Sequence, residues 1–317
     1  MTYPQGSDPI VVLFRFDASR ALATTAESLS SDGIEIHCCP ESEDVAYETL
    51  LPKANVLWHV LKPVTEAQLD NAPQLRLVQK IGSGVNTIAV DACRARGIAV
   101  CNLPGTNSPA VAEMTLLLML ACLRRLRELD AAVRRPGGWP QATALQDGFG
   151  ELAGRTVGLV GFGAVPRLLA PMLEALGANL LYWSRGARNV ELDALLARAD
   201  VVSLHLPLTP ETERLIDTAR LAGMKPGAIL INTARGALVD ERALLEALRT
   251  GRLAAAGLDV FAEEPVRPDH PLLALPNVVA APHLAWLTRE TLERSLAAAL
   301  DNVRRLRDGA ALLNRVA

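Results

Sequence analysis

The sequence is built from short, continuous apolar runs that alternate with segments of helical pattern. The first hundred residues contain five such runs, "PIVVLFRF", "GIEIHCC", "ANVLWHVL", "QLRLVQKIG" and "GIAVCN". Strands that are apolar throughout are typical of parallel sheets covered by helices on both faces. The pattern therefore predicts an α/β fold.

A second strand–helix series begins near Arg155 and again predicts a parallel α/β sheet. Its apolar runs are "RTVGLVGFG", "NLLYWS", "DVVSLHLP", "AILINTA", "AAAGLDVF" and "VVAAPHL", and a helix is expected over residues 240–250. Between the two series, residues 108–135 predict one long helix with Ser108 as its N-cap and Pro109 at its first position. The segment "RPGGWPQ" then interrupts the chain, and residues 288–306 predict a final helix.

Composition places the chain among ordinary globular proteins. The 317 residues carry a net charge of −3 with no run of basic residues, so neither nucleic acid nor a membrane surface is an expected partner. The polar N-terminal segment shows no secretory leader, and the longest apolar stretch, residues 114–123, is shorter than the roughly 20 residues that span a bilayer. Five cysteines without C-x-x-C spacing predict reduced thiols and a cytoplasmic location, and no metal site is predicted.

A glycine turn follows the apolar strand "TVGLV" and precedes a helical pattern. Gly161 and Gly163 occupy the first two glycine positions of G-x-G-x-x-G, but Pro166 occupies the third. The first two glycines allow the tight bend and the approach of a pyrophosphate, whereas the third serves helix packing. We therefore expect an extended Val165, a helix beginning at Pro166, and a phosphate facing the amides of Ala164 and Val165. A plain strand-to-helix turn is the alternative.

The next strand, "NLLYWS", ends in Ser184-Arg185, with Arg188 nearby and no acidic residue at its tip. A carboxylate at this position grips the ribose hydroxyls of NAD, while a guanidinium suits the 2′-phosphate of NADP. The sequence therefore favours NADP as the cofactor. The alternative is that both arginines are solvated loop charges and that NAD is used.

Three downstream segments carry a family resemblance. "NTARGALVDERALLEAL", "GLDVFAEEP" and "APHLAWLT" resemble the signatures of the D-isomer-specific 2-hydroxyacid dehydrogenases, and "GSGVNTIAVDACRARGIAVCNLPGTNSPAVAE" resembles the substrate loop and hinge of that family. The resemblance implies two Rossmann-like or flavodoxin-like parallel-sheet domains with the active site in a cleft between them. Residues 1–104 and 290–317 would form the substrate domain, and residues 105–289 the nucleotide domain.

The resemblance assigns roles to three residues whose chemistry suits the reduction of a 2-keto acid. Arg235 follows the strand "AILIN" and would clamp the substrate carboxylate and carbonyl, because its planar fork can form two parallel bonds. His283 would be the general acid, and Glu264 would pair with it and favour the imidazolium form. Taken singly, each residue also has an ordinary structural explanation.

Further positions are assigned by the same resemblance. The amides of Gly82, Ser83 and Gly84 would form a nest for the substrate carboxylate, although a tight turn is the alternative. Asn107 resembles a hinge residue near the active site. Asp259 matches the residue that holds the nicotinamide carboxamide. The remaining cofactor contacts are expected from Leu206, Pro207, Thr233 and Ala234.

The sequence limits the candidate substrates only to the class of small 2-keto acids. The segment "WHVLKPVT" offers His59 and Lys62 but no arginine, which weakens the case for a phosphorylated substrate and hence for a D-3-phosphoglycerate dehydrogenase. Trp286 either walls the pocket or packs at a domain or dimer boundary. The expected function is therefore reduction of glyoxylate, hydroxypyruvate or pyruvate. The resemblance also implies a homodimer built on the nucleotide domains, with residues 109–127 near its interface. A non-enzymatic, cofactor-sensing interaction protein of the same fold is the alternative from another class.

Overall fold

The computed structural model describes residues 9–31, 33–139 and 148–317, which divide into two compact units. The first unit contains the chain up to Asn107 together with Thr288–Ala317, and the second contains Ser108–Leu287. The sequence predicts these boundaries after residues 104 and 289. The N-terminal segment before residue 9 and the end of the "RPGGWPQ" interruption lie outside the described residues.

The first unit is built on a five-stranded parallel sheet. In space the strands follow the order β2-β1-β3-β4-β5, and all of them are parallel. β2 lies on one side of β1, whereas β3, β4 and β5 follow on its other side. The strands are β1 Ile10–Arg15, β2 Ile34–Cys39, β3 Val56–His59, β4 Leu77–Lys80 and β5 Ala99–Cys101. The helices between them are α1 Arg20–Glu27, α2 Asp44–Leu50, α3 Glu66–Asp70 and α4 Val90–Ala95.

The second unit is built on a six-stranded parallel sheet of order β11-β10-β9-β8-β6-β7. Its strands are β6 Thr156–Val160, β7 Asn179–Trp183, β8 Val201–Leu204, β9 Ala228–Asn232, β10 Leu253–Leu258 and β11 Val278–Ala280. Its helices are α5 Ser108–Leu123, α6 Leu126–Val133, α7 Ala164–Ala175, α8 Leu192–Arg198, α9 Thr218–Gly223 and α10 Glu241–Arg249. The predicted α/β class, with two parallel sheets, is confirmed.

Both faces of the second sheet are buried, which explains why its strands are apolar throughout. Alternate residues of one strand enter different clusters, as Val157 and Leu159 pack on the α5 and α7 side while Val160 packs on the other side. β7 lies on one side of β6, and β8 and the later strands lie on its other side, so the strand order switches between the adjacent strands β6 and β8. In open α/β sheets the carboxyl ends of strands at such a switch point are where ligands bind.

The predicted long helix is wrong in two respects. It begins at Ser108 itself, so Ser108 is the first helical residue and not the cap. It also divides into α5 and α6, because Arg125 adopts a left-handed backbone with φ of 49°. The break is supported by a distant contact, since the Leu123 carbonyl that an unbroken helix would use accepts a hydrogen bond from Gly150 N–H at 3.0 Å.

The last helix, α11 Arg289–Arg307, belongs to the first unit, and Thr288 caps it by accepting the Thr291 N–H. The Asn302 side chain, fully buried, donates to Gln79 Oε1 at 2.7 Å and so joins α11 to β4. No helix within the described part of the chain is both long and apolar enough to cross a bilayer.

Candidate active site

The glycine turn lies at the switch point of the second sheet. Gly161 has a φ of 99°, and a Cβ placed on it would meet the His205 carbonyl oxygen at 2.4 Å. The Gly161 N–H donates to the Trp183 carbonyl at 2.7 Å, and the His205 N–H donates to the Val160 carbonyl at 2.7 Å. The ends of β6, β7 and β8 are therefore tied together around a residue that must be glycine.

The predicted start of the following helix is wrong. Helix α7 begins at Ala164 with Gly163 as its N-cap, so Val165 is already helical and Pro166 is the third helical residue. The Arg167 N–H, on the residue after the proline, donates to the Gly163 carbonyl at 3.2 Å. Proline at the third position thus removes no intrahelical bond, because the amides of the first turn have no partner within the helix.

The residues of this turn fit a dinucleotide. A Cβ on Gly163 would meet nothing within 4 Å, so the backbone is open on this side. The amides of Ala164 and Val165 belong to the first turn of α7, where N–H groups and the helix dipole favour an anion. The turn could therefore hold a pyrophosphate, with Gly163 leaving room for its approach.

The tip of β7 holds the residues that were assigned to the adenosine end of the cofactor. Ser184 closes a local turn, because its hydroxyl donates to the Ala187 carbonyl at 2.7 Å and accepts the Ala187 N–H at 3.0 Å. Arg185 is exposed, and its charge acts on Glu211. Arg188 pairs with Glu191 at 3.2 Å. Ser184 therefore shapes the loop, while Arg185 remains the stronger candidate for a phosphate.

Other residues assigned to the cofactor follow β8 and β9. Leu206 packs against the apolar core, and the Pro207 carbonyl accepts the Thr212 hydroxyl at 2.7 Å. Thr233 Oγ1 lies 2.9 Å from Thr115 Oγ1 on α5. Thr115 is fully buried and was not singled out from the sequence, since nothing in a helical pattern marks one threonine as a support.

Arg235 stands in a short turn that Asn232 organises. Asn232, at the end of β9 and 1% exposed, donates from Nδ2 to the Arg235 carbonyl at 2.9 Å and accepts the Ala234 N–H at 3.0 Å. The Arg235 guanidinium donates to the Ala234 carbonyl at 2.6 Å. Burial lowers the pKa of Arg235, opposed by the charge of Glu264, which raises it. The turn thus presents a partly desolvated guanidinium within electrostatic reach of Glu264.

Glu264 and His283 are brought together by segments that follow β10 and β11. His283 Nδ1 lies 2.6 Å from Glu264 Oε2, and Glu264 Oε1 accepts the Phe261 N–H at 3.0 Å. Burial raises the pKa of Glu264, but the hydrogen bond and charge of His283, the Phe261 N–H and the charge of Arg235 outweigh it, so the net shift is downward. The carboxylate is therefore ionised at neutral pH and orients the imidazole.

His283 sits in a left-handed conformation with φ of 56°, which is rare for a residue with a side chain. Asp259, 1% exposed, accounts for it: its carbonyl accepts the His283 N–H at 2.7 Å, and its carboxylate accepts the N–H groups of Leu284 and Ala285 at 3.0 Å each. Burial raises the pKa of Asp259, although those two amides lower it. The carboxylate assigned to the nicotinamide therefore also holds the histidine turn.

Trp286 is a second support of the same turn. Its side chain is 9% exposed, and its indole N–H donates to the His283 carbonyl at 3.1 Å. The sequence offered pocket wall or boundary packing for this residue and missed this contact. The only signal in the sequence was a tryptophan three residues after a candidate histidine. Where its indole points depends on the positive φ of His283, which the sequence does not reveal.

The residues assigned to the substrate carboxylate lie in the first unit, after β4. The Gly82 carbonyl accepts the Leu103 N–H at 2.8 Å, and the Ser83 carbonyl accepts Asn102 Nδ2 at 2.7 Å. Gly82 has a φ of 139°, a conformation that favours glycine. The Gly82 and Ser83 carbonyls are thus held by the segment that follows β5, and Gly84 continues the same loop. Asn107 is the last residue of this unit before the chain enters the second unit.

Residues 116–285 match the family model described as D-isomer specific 2-hydroxyacid dehydrogenase, NAD binding domain. A glyoxylate reductase from Aeropyrum pernix is 39% identical over 310 residues, which cover 91% of this chain and 91% of that protein. A D-3-phosphoglycerate dehydrogenase from Mycobacterium leprae is 39% identical over 294 residues, covering 89% of this chain and 55% of that protein.

A crystal structure of the TT0316 protein from Thermus thermophilus superposes with a TM-score of 0.88 at 37% identity, covering 97% of this chain and 100% of that one. The chain thus spans nearly the full length of the glyoxylate reductase and of the TT0316 protein. It spans about half the length of the phosphoglycerate dehydrogenase.

Proposed function

Because the chain belongs to the D-isomer-specific 2-hydroxyacid dehydrogenase family, we propose that it reduces a small 2-keto acid to the D-2-hydroxy acid. The resemblance read from the sequence is confirmed, and the protein is a nicotinamide-dependent oxidoreductase. The substrate is of the glyoxylate, hydroxypyruvate or pyruvate type. The contact between His283 and Glu264, with Arg235 in electrostatic reach, is the observation that carries the proposal.

In the proposed mechanism the glycine turn at the start of α7 would hold the cofactor, and Arg235, Glu264 and His283 of the same unit would act on the substrate. The Gly82–Gly84 loop stays a proposed contact for the substrate carboxylate. A nicotinamide cofactor held at the start of α7 would supply the hydride for the carbonyl carbon. His283 would give a proton to the carbonyl oxygen, so the C=O double bond becomes a C–O single bond while one C–H and one O–H bond form. Because Nδ1 faces Glu264, Nε2 is the ring atom that donates.

Arg235 would hold the substrate carboxylate and polarise the carbonyl. Its planar fork can bond two oxygens at once, and its partial burial strengthens the attraction. Glu264 stays ionised and compensates the positive charge of the imidazolium before the proton moves. In the reverse direction the neutral His283 would accept the proton of the hydroxyl.

Two contacts in the first unit favour an unphosphorylated substrate. Lys62, a cation that could have met a phosphate, donates instead to Asp44 Oδ1 at 2.6 Å and to the Glu41 carbonyl at 2.9 Å. His59 is 2% exposed. D-3-phosphoglycerate dehydrogenation stays the second candidate because of the relatives of that name.

We also propose NADP as the preferred cofactor and a homodimer as the assembly. Arg185, exposed at the tip of β7, supports the first point. The second is supported by large apolar side chains that α5, α6 and the following segment leave exposed, because such side chains on neighbouring elements are candidates for contact with a partner. The four most exposed are Leu117 at 52%, Leu126 at 52%, Val133 at 54% and Trp139 at 83%. Sedimentation of wild type and Leu126→Glu tests it: a dimer that becomes a monomer is expected, and a monomeric wild type would refute it.

The function is tested by following nicotinamide absorbance with NADPH or NADH and a panel of glyoxylate, hydroxypyruvate, pyruvate and phosphohydroxypyruvate. We expect turnover of a small unphosphorylated acid, and loss of turnover with retained cofactor binding in His283→Ala. Preference for phosphohydroxypyruvate would favour the second candidate. Cofactor binding without turnover of any acid would instead favour a cofactor-sensing interaction protein.

A further inference from the structure

A second glutamate–histidine pair lies beside the candidate catalytic one. Glu241 is the first residue of α10, and His270 precedes the short 3-10 helix Pro271–Ala274. Glu241 Oε2 lies 3.4 Å from His270 Nε2, and both side chains are largely enclosed, at 19% and 24% exposure. Nothing in the sequence marks His270 as other than structural.

Glu241 also holds the segment that carries Glu264. Its Oε1 accepts the Ala262 N–H at 2.8 Å. The preceding amide, that of Phe261, donates to Glu264 Oε1 at 3.0 Å. Two carboxylates therefore accept hydrogen bonds from successive amides of one short segment: Glu241, on α10, binds Ala262, and Glu264, within the segment, binds Phe261. The position of Glu264 then depends on where Glu241 holds the backbone.

The same segment is enclosed by two further contacts. The His270 ring meets the Phe261 ring edge to face, with centroids 5.8 Å apart and planes at 70°. A Cβ on Gly236 would lie 1.9 Å from the Phe261 carbonyl carbon and 2.3 Å from Ala262 N. The residue after Arg235 therefore packs directly on the backbone that Glu241 holds, so the segment abuts both the Arg235 turn and Glu264.

The hydrogen-bonding capacity of His270 fixes how this pair works. Its Nδ1 is buried and has no hydrogen-bond partner among the residues that the structure describes. An N–H at Nδ1 would be a buried donor without an acceptor, whereas an N–H at Nε2 lies beside the Glu241 carboxylate. In its neutral form the ring therefore favours the tautomer with the proton on Nε2, and Glu241 Oε1 stays the acceptor of the Ala262 N–H.

We infer that Glu241, supported by His270, is a positioning residue that holds Glu264 in register with His283. The inference rests on the proposed function, because it concerns the acid–base pair of that reaction. Neither side chain is assigned to touch substrate or cofactor. Both act through the backbone at Phe261 and Ala262. The charged groups that act on Glu264 itself are His283, Arg235 and Asp259, and all three stay intact in the Glu241 variants below.

The test compares Glu241→Ala, Glu241→Asp and Glu241→Gln with Glu246→Gln, a matched change at an exposed position of the same helix. Glu241→Ala and Glu241→Asp, which cannot reach the Ala262 amide, should lower kcat about tenfold, with KM for the keto acid within about twofold. Glu241→Gln keeps an acceptor for that amide and should recover most of the rate. Glu246→Gln should match wild type.

A double-mutant cycle separates positioning from general weakening of the fold. In a Glu264→Gln background, Glu241→Asp should lower kcat less than about twofold, because the residue it positions is already disabled. A full tenfold loss in that background would overturn the inference. So would a variant that only melts earlier, with the kcat and pH–rate profile of wild type.

A readout without turnover keeps this inference distinct from the proposed function. The ring resonances of His283, assigned through His283→Ala, can be recorded by NMR at one neutral pH. Glu241→Asp should shift them in the same direction as Glu264→Gln, because both changes weaken the contact at Nδ1. Unshifted resonances would refute the positioning role even if the enzyme turns over. Shifted resonances would support it even if none of the tested acids is reduced.

Discussion

The His283 imidazole meets the Glu264 carboxylate at 2.6 Å while its own backbone is held in the left-handed region by Asp259. Three amides, those of His283, Leu284 and Ala285, converge on the one aspartate. These three bonds hold the strained turn in one conformation. Such rigidity is needed if the side chain is to meet its partner within a few tenths of an ångström. Asp259 thus holds the backbone of the histidine turn, and Glu264 orients the ring.

Replacing Glu264 by glutamine should lower kcat by about 10²-fold, near the lower end of what acid–base catalysis contributes. The pKa of Glu264 is lowered overall, despite the upward effect of burial, so the wild-type carboxylate is charged throughout the neutral range. Glutamine keeps the size of the side chain but loses the charge that faces His283 Nδ1. Steady-state rates at neutral pH measure the effect.

Glu263→Gln is the matched control, because its side chain is exposed on the neighbouring residue. It should leave kcat unchanged. Equal effects from the two variants would mean that the general charge of the loop matters, and not the contact with Nδ1.

Gly161→Ala should destabilise the second unit and weaken cofactor binding together. The added Cβ would lie 2.4 Å from the His205 carbonyl oxygen on a backbone with φ of 99°, so overpacking and strain add to about 3 kcal/mol. Denaturant unfolding and fluorescence titration with NADPH measure the two losses.

Gly163→Ala separates the loss of stability from the loss of cofactor affinity. Its Cβ meets nothing within 4 Å, and alanine in place of glycine at an N-cap should change the free energy of unfolding by only about 0.5 kcal/mol. Cofactor affinity should nevertheless fall, because the methyl group occupies the side by which the pyrophosphate would approach. Unchanged affinity in Gly163→Ala would place the phosphate elsewhere.

The strands and the candidate trio could be predicted from sequence because their signals are local. A strand buried on both faces has to be apolar throughout, as Val157, Leu159 and Val160 are, and the trio lies in contiguous segments. The start of α7 could not be predicted by considering Pro166 alone. What decides it is that the residue after the proline, Arg167, already donates to the cap carbonyl, so the missing proline donor is never needed.

Features that depend on contacts between residues far apart in the chain could not be predicted from the sequence. The break at Arg125 accompanies a bond from Gly150 to Leu123, and the supports of Arg235 and His283 come from Asn232 and Asp259. A polar residue at the end of an apolar strand is a visible signal. Which turn it stabilises depends on the backbone angles of the following loop.

Arg185→Ala should weaken NADPH binding about tenfold, or about 1.4 kcal/mol, while NADH binding stays within about twofold. Arg185 is exposed at the tip of β7, and a phosphate there would gain charge-assisted bonds that a ribose hydroxyl does not form. Fluorescence titrations with the two cofactors give the ratio. Arg188→Ala should change it less, because Arg188 is already paired with Glu191. Equal losses for both cofactors would contradict a 2′-phosphate site.

His59 should make the protein less stable in mild acid. Burial, with the charge of Lys80 adding to it, lowers the pKa of His59 from 6.5 to about 3. Between these two values the unfolded chain binds a proton that the folded chain does not, so stability is lost as pH falls below about 6.5 and the loss levels off near 3. At pH 5 the loss from this residue should be about 2 kcal/mol relative to pH 7.5.

Urea unfolding of wild type and His59→Gln at pH 7.5 and pH 5 measures this contribution. His59→Gln removes the titrating group and keeps a polar side chain near Thr87, whose hydroxyl lies 3.4 Å from His59 Nε2. The variant should therefore lose about 2 kcal/mol less than wild type on acidification, whatever its stability at pH 7.5. His37→Gln, on an exposed histidine of β2, should behave as wild type. A His59→Gln protein with the wild-type acid dependence would show that His59 takes up its proton without unfolding.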